Sequence, residues 1–491
     1  MNGDRAADQP ALTQHDLLVG GRWQAAAAGH RYRVASPATG ADIADLAAAE
    51  SADVDRAVVA GQAAFEKYAS ATYFERARWC ENVAAEIDAR SDDLARELTT
   101  EQGKPLAESR GEVTSAAAGF RLAAAEARRL TGETVPVADP AKRVLTFRRP
   151  TGVWAVITPW NFPFNIPIEY LGPAIATGNA VVWKPAPSTS RIAVRLAECI
   201  MAAGVPDGLV NLVTGPSVDM ARHLSSHPGL VGVCFTGSSS VGKQIAQLAA
   251  GKKLLLELGG NGPVIVLKDA DLPRTVQAVA AAAFANAGQS CAAAGRILAE
   301  PGVHGALVAG LADAANAIRV GPPLSDDVDM GPVHNEATAQ KMEQHIEDAL
   351  GRNGNLVAGG ARLPGMPSRL FFAPTVIEAL PGEALVLREE TFGPIAPVLA
   401  ADGDDALLAA ARSSRLGLSA AIFTRDIPRA LRLAERLAAG QVVINDTSNY
   451  WELHMPFGGW PGTDSGIGRL GGRHALEALT EIRTVSIDIA S

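Results

Sequence analysis

VWAVITPWNFPFNIPIEYLGPAIATGNAVVWK, residues 153–184, sets two short apolar runs, Val153–Thr158 and Ala180–Trp183, around a Pro-flanked turn and a helical pattern. An apolar run, a helix and a second apolar run make one strand–helix–strand unit, and repeats of that unit build a parallel sheet. Downstream the pattern continues. Leu209–Thr214, Val231–Phe235 and Pro263–Leu267 are further runs, with helical segments such as Arg191–Ala203 and Val241–Ala250 between them. A second series, Arg296–Ala299, Phe371–Ile377, Ile395–Ala400, Ser419–Thr424 and Gln441–Asn445, predicts a second α/β layer system. Upstream, Val54–Tyr68 and Ala77–Gly103 read as long amphipathic helices. Residues 131–152 read as two extended pieces around Asp139-Pro140, an arm outside the series, and Thr484–Ile489 alternates as a strand. Exposed strand edges seek partners, so an oligomer is expected.

A chain of 491 residues exceeds one hydrophobic core, which points to two or three domains. With 47% apolar and 20% charged residues it reads as globular and soluble. A net charge of −9 argues against nucleic acid as the main partner. Met1–Gly20 lacks a basic segment followed by an apolar core, and no apolar run reaches the ~18 residues of a membrane span. The four cysteines, Cys80, Cys199, Cys234 and Cys291, are far apart, with no CxxC and no His-rich run. Neither a metal site nor a disulfide framework is expected, and free thiols fit the cytoplasm.

Three residues stand in settings suited to chemistry. Cys291 follows Gly288-Gln-Ser and precedes three alanines, so a substrate carbon could reach its sulfur. As a nucleophile it needs a lowered pKa or a nearby base. Glu257 ends the run Leu254-Leu-Leu and precedes Leu258-Gly-Gly; taken alone, it reads as a solvated strand-end charge. Asn161 sits in a rigid turn directly after a strand, where its amide could donate to a developing oxyanion, although Asn in such a turn is commonly turn chemistry alone.

Seven segments settle the reading together: TPWNFP at 158–163, GNAVVWKPA at 178–186, FTGS at 235–238, ELGGNGP at 257–263, GQSC at 288–291, EETFGP at 389–394 and PFGG at 456–459. In this order and spacing the chain resembles the NAD(P)-dependent, hydrolytic, non-acylating branch of the aldehyde dehydrogenase superfamily. The resemblance implies an α/β fold. Its dinucleotide-binding Rossmann-type domain would comprise 1–130 and 151–257, and its catalytic domain 258–445. A β-hairpin oligomerisation arm would comprise 131–150 and 480–491, with 446–479 returning along the substrate channel and the cofactor domain. It also implies oxidation of an aldehyde to the acid through a cysteine thiohemiacetal and a thioester. Cys291 would be the nucleophile, Glu257 the general base and Asn161 the oxyanion donor with the Cys291 N–H. Branches that pass the acyl group to coenzyme A usually lack the glutamate at this position, so Glu257 favours water. A CoA-acylating enzyme and a catalytically silent relative are the alternatives.

The turn from Phe235 through Gly237, Ser238 and Gly242 opens a helix after a strand, a place for a pyrophosphate, although its GxxxxG spacing alone is weak. The resemblance adds Thr158, Pro159, Trp160, Lys184, Leu258, Gly259, Glu390 and Phe392 to the cofactor site. NAD is expected. NADP stays open, because Pro187 stands where an acidic residue often repels a 2′-phosphate. The expected substrate residues are Phe162, Ile166, Glu169, Tyr170, Ser290, Ala292, Tyr450, Trp451 and Phe457. Tyr450 and Trp451 equally suit a subunit interface. Relatives that oxidise succinate semialdehyde often carry arginine where Glu169 stands, and a carboxylate there cannot bind another by charge. A homodimer or homotetramer is expected.

Overall fold

The computed structural model describes residues 12–490. Its larger sheet has eight strands in the order Gly466–Ile467, Lys253–Glu257, Gly232–Thr236, Val153–Ile157, Ala180–Lys184, Val210–Leu212, Leu17–Val19 and Arg22–Gln24. The five strands from Lys253–Glu257 to Val210–Leu212 are parallel. Helices cover them, so Val153–Ile157 and Ala180–Lys184 are buried at every residue, which is why they read as unbroken apolar runs. Register pairs Ile157 with Lys184 and with Phe235, and Thr236 with Glu257, so these four strands end along one edge. From Val153–Ile157 the chain builds first to one side and then, at Gly232–Thr236, to the other. The strand order therefore reverses between these two, and a ligand crevice is expected outside their carboxyl ends.

Residues 258–262 lead from that edge into the second sheet. Its seven strands run Asn355–Ala358, Thr375–Glu378, Ile395–Ala400, Arg296–Ala299, Pro263–Val266, Ser419–Phe423 and Gln441–Ile444. All its pairings are parallel except Asn355–Ala358 with Thr375–Glu378. Pro263 pairs with Arg296, so the loop carrying Cys291 arrives where Glu257 leaves the first sheet.

A third sheet lies apart from this series. Thr480–Asp488 pairs antiparallel with Lys142–Pro150 along nine residues, and Thr134–Val135 pairs on the other side. Phe147, Ile482 and Ile487 are exposed on it.

Three details differ from the sequence reading. Ala77–Gly103 is not one helix: Tyr73–Ala89 and Ser91–Gln102 are separated at Arg90, where φ −120° and ψ 14° leave the helical region and Ser91-Asp-Asp starts a new, acidic N-terminus. The strand expected from Phe371 begins only at Thr375, since Pro374 has no N–H to give a ladder. The hairpin Leu17–Val19/Arg22–Gln24, which finishes the large sheet, is an addition to the sequence reading; Gly20-Gly21 after the apolar Leu17–Val19 makes its turn. All four cysteines are free thiols, and no helix among the described residues is long and apolar enough to cross a membrane.

Candidate active site

The turn after Val153–Ile157 is held from below. Thr158 N donates to Lys184 O at 3.1 Å, and Trp183 Nε1 donates to Thr158 Oγ1 at 2.9 Å. Lys104 Nζ reaches Asn161 O at 2.9 Å, pairs with Glu112 Oε2 at 2.5 Å, and lies 4.0 Å from the centre of the Phe162 ring. The other Glu112 oxygen accepts from Phe164 N at 2.9 Å and Asn165 N at 3.0 Å. This ion pair is buried on both sides, so each charge depends on the other. Asn161 is buried, and its Nδ2 donates to Gln289 O at 3.1 Å.

The Cys291 loop is equally braced. After the helix Leu272–Phe284, Asn286 and Ala287 take left-handed φ of 49° and 52°, a costly conformation for residues with a Cβ. Both carboxylate oxygens of Glu108 accept from Asn286 N at 3.1 Å, and Gln102 Nε2 donates to Asn286 Oδ1 at 3.1 Å. Asn286 Nδ2 in turn donates to Asn161 O at 3.0 Å, tying this loop to the turn. Gly288 has φ 67°, and a Cβ there would strike the Gly393 carbonyl. Ser290 Oγ donates to Asn449 Oδ1 at 2.9 Å, and Ser448 Oγ donates to Ala292 O at 2.7 Å.

Cys291 is half-buried and borders a cavity of about 300 Å³ with Glu257. Of the expected substrate residues, Phe162, Ile166, Glu169, Ser290, Ala292, Trp451 and Phe457 line this cavity. Tyr170 and Tyr450 do not. Tyr170 is buried with its hydroxyl 2.6 Å from Thr236 Oγ1, and Tyr450 faces solvent, donating to Glu452 Oε1 at 2.8 Å. Ser448, Asn449 and Leu470, from the segment 446–479 expected along the channel, also line it, as do Asn165, Thr236 and Ala285, which carry no such expectation.

Glu257 is buried, and neither of its oxygens has a hydrogen-bond partner. Burial, then the nearby Glu169 charge, pushes its carboxyl well above the usual range, with Arg469 pulling the other way. The Cys291 thiol is also pushed up, by burial and then by Glu390, Glu257 and Glu169. Of the two routes to a reactive sulfur, a depressed pKa or an adjacent base, the surroundings favour the second.

Several of the expected dinucleotide residues lie at or just beyond strand ends of the first sheet: Thr158–Trp160 after Val153–Ile157, Lys184 at the end of its strand, Gly237 and Ser238 after Gly232–Thr236, and Leu258 and Gly259 after Lys253–Glu257. Ser238 caps the helix Ser239–Leu248, accepting from Val241 N at 3.4 Å, and Gly237 N donates to Glu257 O at 3.0 Å. Gly242 lies against the Leu258 side chain. Glu390 Oε1 accepts from Gly260 N at 3.0 Å, and a Cβ on Gly259 would sit 2.8 Å from Glu390 Oε2. Burial pushes Glu390 up to about 7, against the Gly260 N–H and Lys341. Lys184 is buried, reaches only Pro185 O at 3.4 Å, and is drawn down to about 8 by burial. Trp160 stacks on His334 at 4.5 Å and meets Phe392 edge-on at 5.5 Å. Nothing in the sequence singled out His334. It is buried, held between Gln102 O at 3.0 Å and Ser188 Oγ at 2.7 Å, and burial lowers it to about 4, so it stays neutral. A helix start, an unpaired buried lysine, a carboxylate over glycine and an aromatic wall together fit a dinucleotide.

Among the described residues, Asp55, His223 and His227 form the one cluster with three potential metal ligands. Nδ1 of His227 accepts from Gly229 N at 3.0 Å, leaving its Nε2 protonated toward Asp55, a donor rather than a ligand.

Residues 23–485 match the Aldehyde dehydrogenase family, and the chain belongs to it. It is 38% identical to 3-sulfolactaldehyde dehydrogenase of Pseudomonas putida, covering 97% of this chain and 98% of that one. It is 37% identical to the NADP(+) succinate-semialdehyde dehydrogenase of Escherichia coli, covering 97% and 98%. The crystal structure of succinate-semialdehyde dehydrogenase from Burkholderia pseudomallei superposes with a TM-score of 0.94 at 38% identity, covering 98% of this chain and 100% of that one. The protein is an aldehyde dehydrogenase that oxidises an aldehyde to the carboxylic acid with NAD or NADP.

Proposed function

We propose that Cys291 is the nucleophile, Glu257 the general base and Asn161, with the Cys291 N–H, the oxyanion donor. The observation that carries this reading is the shared cavity, lined by both Glu257 and Cys291, with neither Glu257 carboxylate oxygen engaged by a hydrogen-bond partner. Glu257 takes the thiol proton as sulfur bonds to the aldehyde carbon, and the carbonyl electrons move to oxygen. One Asn161 N–H is engaged by Gln289 O, which leaves the second for that oxyanion. A bound nicotinamide would supply the acceptor for the hydride of that carbon, and the acyl group would then be held on Cys291 as a thioester. After Glu257 has passed its proton to solvent, it deprotonates a water. The water attacks the acyl carbon, the C–S bond breaks and the acid leaves.

The residues that would hold the dinucleotide are Thr158, Pro159, Trp160, Lys184, Gly237, Ser238, Gly242, Leu258, Gly259, Glu390 and Phe392. The domain division follows the sheets: 1–130 with 151–257 for the cofactor, 258–445 for the cysteine loop, 446–479 as the return segment. The remaining segments, 131–150 and 480–491, would form an arm joining copies into a homodimer or homotetramer. The edge strand Thr480–Asp488 and its exposed Ile482 and Ile487 support that role. Four free thiols favour the cytoplasm.

The relatives above are named for aldehydes that carry a carboxylate or a sulfonate. Among the described residues lining this cavity there is no lysine or arginine, and Glu169 is one of them. The substrate of this chain is therefore an aldehyde without an anionic tail. The test is formation of reduced cofactor from a neutral aldehyde such as hexanal, abolished in Cys291→Ala while circular dichroism stays unchanged. Retained turnover in that variant would remove Cys291 from the mechanism. Acyl-CoA as the main product when CoA is added would remove water as the acceptor.

A further inference from the structure

We infer that the aldehyde this enzyme takes carries a positive charge at the end away from the carbonyl, and that Glu169 selects it. The inference rests on the reading above, in which the aldehyde lies between Cys291 and the cavity mouth. Glu169 is the second residue of the helix Ile168–Thr177 and lines the cavity. Its one hydrogen bond is long, from Asn165 Nδ2 at 3.4 Å. Among the described residues no cation pairs with it. Arg469 acts on Glu257 rather than on Glu169, and its Nη1 donates to the Gly459 and Gly468 carbonyls at 2.7 and 2.8 Å.

The rest of the lining suits a cation. Trp451 and Phe457 pack against each other with centroids 5.7 Å apart and planes inclined by 59°, and Phe162 also lines the cavity. Ring faces attract a desolvated ammonium, while apolar walls tolerate its alkyl groups. Glu257, buried and without a hydrogen-bond partner, adds a second carboxylate to the same space. Burial alone holds Glu169 at about 8, as for a carboxylate lacking its partner charge, and an arriving ammonium supplies that partner. A carboxylate tail in its place would find no cation among the residues lining the cavity.

The test compares three aldehydes on the wild-type enzyme with its cofactor: 4-trimethylammoniobutanal, its neutral isostere 5,5-dimethylhexanal, and succinate semialdehyde. Expected kcat/KM for the cation exceeds that of the isostere by about tenfold or more, with the anion slowest. In Glu169→Gln, with melting temperature checked in parallel, the cation-to-isostere ratio falls toward one, mainly through KM. In Glu169→Arg the order of cation and anion reverses. A wild-type ratio near one, or preference for succinate semialdehyde, overturns the inference while leaving the nucleophile and base in place. Failure of all three aldehydes to reduce either NAD or NADP would sink the reading beneath it as well.

Discussion

The protein behind the thiol and the space in front of it are built on opposite principles. Behind, Lys104, Glu108, Glu112, Asn286 and Gln289 form a closed network in which buried charge is met by charge or by backbone N–H groups. In front, Glu257 has no hydrogen-bond partner and Glu169 has one long contact. A satisfied network is rigid and fixes where the Asn161 amide and the Cys291 backbone point. An unsatisfied one is poised, because its groups have something to gain from a proton, a water or a substrate. The contrast locates positioning in the floor and reaction in the cavity.

The contrast can be broken by mutation, and the largest effect lies in front. Cys291→Ala should lower kcat by about 10⁴-fold or more without loss of fold, read as reduced-cofactor formation alongside thermal melting. In the floor, Lys104→Met strands Glu112 in the interior and should cost about 3–5 kcal/mol, read by chemical denaturation. Removing both charges as Lys104→Met/Glu112→Leu should recover part of that stability but not activity, since the Phe164 and Asn165 N–H groups lose their acceptor. Asn161→Ala removes an oxyanion donor and should lower kcat by about 10²–10³-fold with a smaller change in KM.

A gentler probe is pH. Glu257 serves as a base only when ionised, and its carboxyl is pushed well above the usual range. As pH falls, protonation should therefore abolish kcat along a limb lying above the ~4.3 of a solvated glutamate. In Glu257→Gln that limb should disappear from the residual rate. A limb at the ordinary carboxylate value would mean that the cavity is wetter than its geometry implies.

Much of this was legible from the chain alone, for physical reasons. Strands buried on both faces must be apolar throughout, so Val153–Ile157 and its neighbours announced themselves. Asn161, Glu257 and Cys291 were each ambiguous in isolation and became readable only as an ordered set. The floor was invisible. Glu112 and Lys104 lie 8 positions apart and meet Phe164 and Asn161 from 52 and 57 positions away, on no shared periodicity. Tyr170 was misjudged for a local reason. One helical step, ~100°, separates it from Glu169, enough to set its hydroxyl behind the cavity-lining Thr236.

The account stands most directly on the covalent step, and Glu257→Gln offers a way to catch it. With the base removed, Cys291 must ionise unaided, so the variant is run at high pH, where the thiolate still forms but no carboxylate activates water and the acyl group should outlast its formation. Mixing this variant with aldehyde and cofactor, then taking the intact mass and mapping peptides, should show one acyl group per chain on Cys291 alone, chased away slowly as free acid. An acyl group on another residue, or burst formation of reduced cofactor with an unmodified Cys291, would contradict it.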